Sequence, residues 1–328
     1  MTRRRAREGR AISTVVDVSF ALLLISASVV MIATYLNGQQ TQPDTAEADQ
    51  LAETLAVTTV QTEYSLEAVA EESDEVDVGD LEEETYTRRA HGPAAEQLAA
   101  AAVTNVSVEG TRVSAAAKPF NDSLDGSIRN ELTSAETNAH VVAVWEPYRD
   151  ADIRGRTEVG VRPPTDADVS TATMTVNSRI GKVSDGEIVA RFDEDGYEGV
   201  ADLIAAATVA GYFPEQETQL ALEQQTFERA YAVYRYNRFK QSLNSWDDAD
   251  AADAVDYSFA DYDPINTIID RNAADTREAN DRVQRRMAAG IEADLADEFG
   301  DESDLTGDEL ARHVSTRNVT VTVRTWDK

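Results

Sequence analysis

The sequence predicts an α+β fold, in which an N-terminal transmembrane helix precedes a mixed α+β domain. Three observations support this. An apolar stretch runs from Ala11 to Leu36, which is long enough to cross a hydrocarbon core of about 30 Å. Helical periodicity dominates from about residue 196 to 316, so the C-terminal half is predicted to be helix-rich. The chain then closes on an alternating segment, 318–326, which predicts a final strand.

The composition is strongly acidic and poor in lysine. There are 61 Asp and Glu against 30 Lys and Arg, for a formal net charge of -31, and there is no cysteine. Disulfides and thiolate metal sites are therefore excluded, and we expect nucleic acid to be repelled. Such a surface stays hydrated where salt screens charge, which indicates adaptation to a saline medium. A local acidic binding surface is the alternative, but the acids are spread along the whole chain.

The charges that flank the apolar stretch predict its orientation. Five arginines precede it, and acids follow it from Asp44 onward. The excess of basic residues places the N-terminus in the cytoplasm and the rest of the chain outside the cell, on the cell membrane as a single-pass protein. The predicted parts are a basic cytoplasmic leader, a transmembrane helix, a hinge and an extracellular acidic α+β domain, at residues 1–11, 12–36, 37–44 and 45–328.

One acid, Asp17, lies inside the apolar stretch. At the centre of a membrane a carboxylate costs about 2.5–3.5 kcal/mol on insertion scales. Asp17 lies near the cytoplasmic end, so two interpretations stay open. It is either an interfacial acid beside the arginines, or the partner of a positive group on a neighbouring helix or amine.

Arg10 and Ala11, followed by the segment ISTVV from Ile12 and a long apolar run, resemble the class III (prepilin-type) signal of archaeal type IV pilins. The resemblance implies cleavage between Ala11 and Ile12, with the apolar segment retained and packed in a filament core. Bacterial pilins carry a glutamate at the fifth mature position, whereas Asp17 would be sixth. The segment STVVDVSFALLL also resembles uncharacterised haloarchaeal pilin-like membrane proteins, which tend to be encoded beside a secretion-type ATPase and its membrane platform.

Local patterns in the exported part predict alternating helices and strands. We expect a short hairpin or a bent strand at Glu109-Gly110, and 215–243 is predicted to be one continuous helix. The other predicted helices are 45–55, 94–105, 120–134, 197–213, 264–299 and a short one from Asp308. The other predicted strands are 57–64, 138–148, 156–164, 168–178, 186–192 and 318–326.

No motif nominates a catalytic site, a cofactor or a metal. The three histidines, His91, His140 and His313, are scattered, and no dinucleotide-binding, phosphate-loop or nucleophile-elbow motif occurs. The segment from Asn121 to Leu132 resembles half of a calcium loop, with a turn at Asp125-Gly126 as the alternative. The sequence therefore predicts a protein that is not an enzyme.

Three sequons follow the predicted span, at Asn105, Asn121 and Asn318, and they are compatible with glycosylation outside the cell. Of the three, Asn318 is expected to be the less accessible because it leads into a strand.

Together these features and the resemblance lead to one functional hypothesis. The chain is expected to be a pilin-like or pseudopilin-like structural or accessory component of an archaeal type IV pilus-related surface or secretion system. Its expected partners are membrane lipid, other pilin-like subunits and a secretion-type membrane platform. The alternative is a membrane-anchored extracellular binding protein with no role in a filament, and an anchored extracellular hydrolase is a third class.

Overall fold

The computed structural model describes residues 46–71, 82–113, 117–132, 138–224, 226–244 and 274–327. The chain from Ala46 onward forms one compact unit. The predicted leader, transmembrane helix and hinge lie outside the described residues. Within the described ranges, no helix is both long enough and apolar enough to span a membrane.

The described part is a mixed α+β fold, as the sequence predicts. Its strands, in chain order, are β1 Thr59–Ser65, β2 Thr87–Pro93, β3 Val106–Val108, β4 Thr111–Arg112, β5 Asn138–Trp145, β6 Ile153–Gly160, β7 Ser170–Asn177 and β8 Asn318–Trp326. Its helices are α1 Ala46–Val57, α2 Glu67–Glu71, α3 Glu83–Tyr86, α4 Ala94–Thr104, α5 Ala117–Leu132, α6 Asp185–Tyr212, α7 Glu215–Glu223, α8 Phe227–Asn244, α9 Thr276–Phe299 and α10 Gly307–Ala311.

The main sheet has six antiparallel strands in the order β4-β3-β6-β5-β8-β7, and β1 and β2 form a separate antiparallel pair. The last strand of the chain, β8, lies inside the main sheet between β5 and β7. The sequence pattern predicted this strand because its side chains alternate, and Val319, Val321 and Val323 are all fully buried. The C-terminal strand thus closes the sheet after the helical half of the chain.

Helices α1 and α4 pack on one face of the main sheet. Close approach of α4 depends on Gly155 in β6, because a Cβ at this position would overlap the carbonyl group of Ala102. The aromatic ring of Trp145, at the end of β5, is fully buried on this side and donates from Nε1 to the carbonyl of Thr316 at 2.7 Å. This face therefore carries the hydrophobic core.

The helical half shares that core. Helix α6 packs against α9 and α10, and its end meets α8 in a group of aromatic rings. Phe213 stacks on Tyr236 with ring centroids 4.0 Å apart, and both rings are buried. Phe239 lies edge-on to Phe213 at 5.3 Å. Burial of these large rings, at about 25 cal/mol per Å² of apolar surface, joins the helices to the rest of the domain.

The structure corrects three element predictions. Residues 186–192 are not a strand but the first turns of α6. Ser184 caps this helix in a capping box with Glu187, whose carboxylate accepts from the Ser184 backbone N–H at 2.9 Å. The predicted single helix 215–243 is two helices, because the backbone at Gln224 is extended. Residues 87–93, for which the sequence predicts neither a helix nor a strand, form the strand β2.

Candidate functional site

The structure places the sequence-predicted site residues in different parts of the molecule or outside the described part. Arg10, Ala11, Ile12 and Asp17 all lie outside the described residues. Two sequon asparagines come together. Asn105, after α4, and Asn121, in α5, both line a cleft that is described below. Asn318 lies elsewhere, at the start of β8. Its side chain is exposed whereas those of Asn105 and Asn121 are half-buried, so the expectation that Asn318 is less accessible is wrong.

The calcium-loop interpretation is also wrong. Residues 121–132 belong to the helix α5, and Gly126 lies within that helix. A calcium loop needs a sharp turn at its central glycine, and a helix does not bring the first, third and fifth positions around one ion. Among the described residues, no group of three or more acids and histidines has the geometry of a metal site.

The second face of the main sheet is a polar surface built by alternation. Along β6, Ile153, Gly155 and Val159 point to the core, so Arg154 and Arg156 point to the opposite face. On β7, the threonines at 171, 173 and 175 are likewise exposed. This surface, which we call the open face, carries threonine and arginine side chains in a protein with a formal net charge of -31.

A cleft of about 630 Å³ lies on this side, where β3, β4, β5 and β6 meet α5. This volume is within the range of about 300–1,000 Å³ that is common for ligand sites. Three arginines line it, Arg112, Arg154 and Arg156, together with two glutamates, Glu146 and Glu158. The lining therefore carries a formal charge of +1, opposite in sign to the whole chain. We call this feature the arginine cleft.

Strand register sets the spacing of the arginines. Ser107 in β3 pairs with Arg112 on one side and with Arg154 on the other, so the three residues form a row across the strands. Neighbouring strands are about 4.8 Å apart, which puts the two arginine backbones about 10 Å apart with Ser107 between them. Two residues along β6, Arg156 adds a third guanidinium on the same face.

Two polar oxygens at the cleft lack partners. The side-chain oxygens Oδ1 of Asn105 and Oδ1 of Asn121 are buried and have no hydrogen-bond partner among the described residues. The amide Nδ2 of Asn105 donates to the carbonyl of Arg156, which fixes its Oδ1 as the unused acceptor. A buried polar atom without a partner costs about 1–3 kcal/mol. The wall of the cleft therefore has unused hydrogen-bonding capacity.

Glu158 forms a charged cluster at one end of the cleft. Its carboxylate accepts from Arg156 at 2.8 Å and from Arg162 at 2.9 Å. Nε2 of the buried His140 lies 3.2 Å from it. Because an ionised carboxylate only accepts, this nitrogen carries a proton, and His140 Nδ1 is buried without a partner among the described residues.

Burial acts to raise the pKa of Glu158, but hydrogen bonds from Arg162, Arg156 and His140 outweigh it and lower the pKa to about 2. The cluster therefore keeps this carboxylate ionised. Glu146, at the other end of the cleft, differs. Burial and the charge of Asp150 raise its pKa, and Arg154 opposes them. The two glutamates thus have pKa values displaced in opposite directions by their surroundings.

The cleft can bind an anionic group, because guanidinium forks match carboxylate, sulfate and phosphate oxygens. Sequence reasoning missed this site. Part of the signal was available: Arg156 and Glu158 alternate in the predicted strand 156–164, which puts both on one face, and Arg154 lies two residues before that strand. The contributions of Arg112, Asn105 and Asn121 depend on strand register and helix docking, which no local pattern shows.

Comparison with known proteins gives one result. A family model described as a family of unknown function, DUF7284, matches residues 16–326. No curated protein and no solved structure matches the chain.

Proposed function

From the premise that this chain belongs to the DUF7284 family of unknown function, we propose that it is a pilin-like component of a type IV pilus-related surface or secretion system. In this proposal the segment 12–36 is a retained membrane span, the basic N-terminus faces the cytoplasm, and the acidic domain faces a saline medium. Other pilin-like subunits, a secretion-type membrane platform and lipid are its partners. The domain supplies a structural or accessory part of the assembly.

The observation that carries the proposal is the short distance along the chain between the apolar stretch and the folded domain. The family match starts at residue 16, within that stretch, and continues to residue 326. Only nine residues, 37–45, separate Leu36 from the start of α1. The buried side of α1, formed by Ala48, Ala52 and Leu55, packs on β7, β8 and α4. A helix anchored in a membrane or a filament core would therefore hold the domain through a short connection.

The edge strand β7 supports assembly with other subunits. Within the described residues β7 pairs only with β8, so one side of its backbone has no strand partner. Its eight residues, STATMTVN, contain no charged side chain. Natural proteins usually protect a sheet edge with charge or proline, because an uncharged edge pairs readily with other chains. In so acidic a protein, the uncharged edge is a suitable contact for another subunit.

Processing of the leader tests the proposal. Intact-mass analysis of the protein purified from membranes should show loss of residues 1–11. Arg10→Ala should leave the leader attached because it removes the basic residue beside the cleavage point. Arg7→Ala is the matched control: it removes the same charge from the leader and should be processed normally.

The same experiment separates the proposal from its alternative, a membrane-anchored binding protein with no filament role. The arginine cleft favours that alternative, because its volume of about 630 Å³ is that of a ligand site. Full-length protein in the membrane fraction, unprocessed in the wild type, would favour the simple anchor and count against the pilin-like role.

A further inference from the structure

We propose that the arginine cleft binds the uronic acid residue of an acidic saccharide, a ligand that combines a carboxylate with several hydroxyl groups. This inference does not depend on the pilin-like role, because it rests on the described residues of the domain alone.

The positive row provides the anion site. Arg112 and Arg154 flank Ser107 across neighbouring strands. Among the described residues the guanidinium of Arg112 has no hydrogen bond or salt bridge, so it is available to a ligand. Arg156, in contrast, is held by Glu158 at 2.8 Å. The carboxylate is therefore assigned to the end of the cleft formed by Arg112, Ser107 and Arg154.

The unpartnered oxygens provide the hydroxyl site. Oδ1 of Asn105 and Oδ1 of Asn121 are acceptors without donors among the described residues. In the proposal, sugar hydroxyls in the cleft donate to these two acceptors. Forming these bonds removes the cost of leaving the oxygens unpaired, which favours a ligand rich in donors over a simple anion.

Other anionic ligands fit less well. A nucleotide base is normally held by stacking on an aromatic ring, and no aromatic side chain is among the residues that line the cleft. A simple sulfate or acetate would leave the asparagine oxygens unpaired. The overall charge of the protein does not prevent binding, because at 1 M salt the Debye length is about 3 Å. A ligand in the cleft then interacts chiefly with the arginines that line it.

The test measures binding of sodium galacturonate and of trigalacturonate to the full chain, purified in detergent, by titration calorimetry. We expect saturable binding of both probes, weakened at least tenfold by Arg154→Gln and by Arg112→Gln. Both side chains are exposed, so neither change should alter the fold, which circular dichroism checks. Arg277→Gln is the matched control, because it removes an exposed, ion-paired guanidinium far along the chain on α9.

A second variant tests the hydroxyl site separately from the anion site. Asn121→Ala should weaken galacturonate binding while leaving the weaker binding of acetate unchanged, because only the sugar uses the Oδ1 acceptor. Three results would overturn the proposal: no saturable binding to the wild type, equal affinity for the neutral sugar maltotriose, or tighter binding of adenosine monophosphate than of galacturonate.

Discussion

At the scale of single residues, the ionisation of Glu158 on the open face affects the stability of the fold. The carboxylate of Glu158 is partly shielded from solvent and surrounded by Arg156, Arg162 and His140. These partners lower its pKa to about 2 against the opposing effect of burial. In the unfolded chain this carboxyl has an ordinary pKa, so the folded state binds its proton less readily. The cluster therefore stabilises the fold only while Glu158 is ionised.

This linkage predicts a pH dependence for Glu158→Gln. A lowered pKa in the folded state gives stability that is fully present above the unfolded pKa, near 4.5, and is lost as the pH falls through about 2. We expect the variant to be less stable than the wild type by about 1–2 kcal/mol at pH 6, after allowing for solvent screening. The difference should shrink between about pH 4.5 and pH 2, as measured by urea unfolding at constant ionic strength.

The control for this comparison is Glu71→Gln, which removes an exposed acid at the end of α2. The free energy of unfolding of this variant should differ little from that of the wild type at every pH. A Glu158→Gln deficit that stays constant down to pH 2 would mean that the cluster does not act through the charge of Glu158.

The site could be predicted only in part from the sequence, and single residues show why. Alternation in β6 is a local signal, so the common face of Arg154 and Arg156 is visible in the sequence. The pairing of Ser107 with both Arg112 and Arg154 depends on the register of three strands. The burial of His140 beside Glu158 likewise depends on strand register. Register is set by the whole sheet and has no signature within one segment.

At the scale of elements, the long helix α6 depends on a break at Gly196. The backbone there has φ 61° and ψ -141°, a left-handed conformation that side chains with a Cβ rarely adopt. The helix resumes at Tyr197, whose backbone N–H donates to Oε1 of Glu302 at 2.7 Å. The carboxylate thus provides a cap at the point where the helical hydrogen bonds are interrupted.

Gly196→Ala should therefore destabilise the domain by about 1–3 kcal/mol, through backbone strain and through overlap of the new Cβ with the Glu302 carboxylate. Gly186→Ala, in the first turns of the same helix, is the matched control. It has ordinary backbone geometry and open space around its Cα, so alanine there should be neutral or stabilise by about 0.5–1 kcal/mol. Chemical unfolding of both variants measures the contrast, and equal effects would disprove the role assigned to Gly196.

Element predictions succeeded where local signals are strong. Strand β8 alternates from Asn318 to Arg324, and α4 is rich in alanine, so both are visible in the sequence. Strand β2, TRRAHGP, has no apolar alternation, and its pairing with β1 is a long-range contact that no local pattern shows. The start of α6 was missed although Ser184 and Glu187 have the capping-box spacing, because the apolar residues after them also fit a strand. The end of α7 has no glycine or proline to mark it.

At the scale of the whole molecule, the acidic composition and the proposed N-terminal membrane span have to be explained together. Self-repulsion at a formal charge of -31 acts against a compact state unless salt screens it. The core nevertheless runs continuously from α1 through the main sheet to the C-terminal helices. We propose that this domain stands in a saline medium outside the cell and that the N-terminal helix is retained and holds it there. In this proposal the edge of β7 and the arginine cleft are surfaces that face partners in that medium.

The most direct test of this account is the position of α1 relative to the membrane. The chain has no cysteine, so Val57→Cys, at a position that is 78% exposed, gives a single reactive thiol, and Ala48→Cys on the buried side of the same helix is the control. We predict that a membrane-impermeant maleimide labels Val57→Cys in intact cells and that the labelled protein stays in the membrane pellet after a high-salt wash. Labelling that occurs only after lysis, or protein recovered in the soluble fraction, would contradict the account.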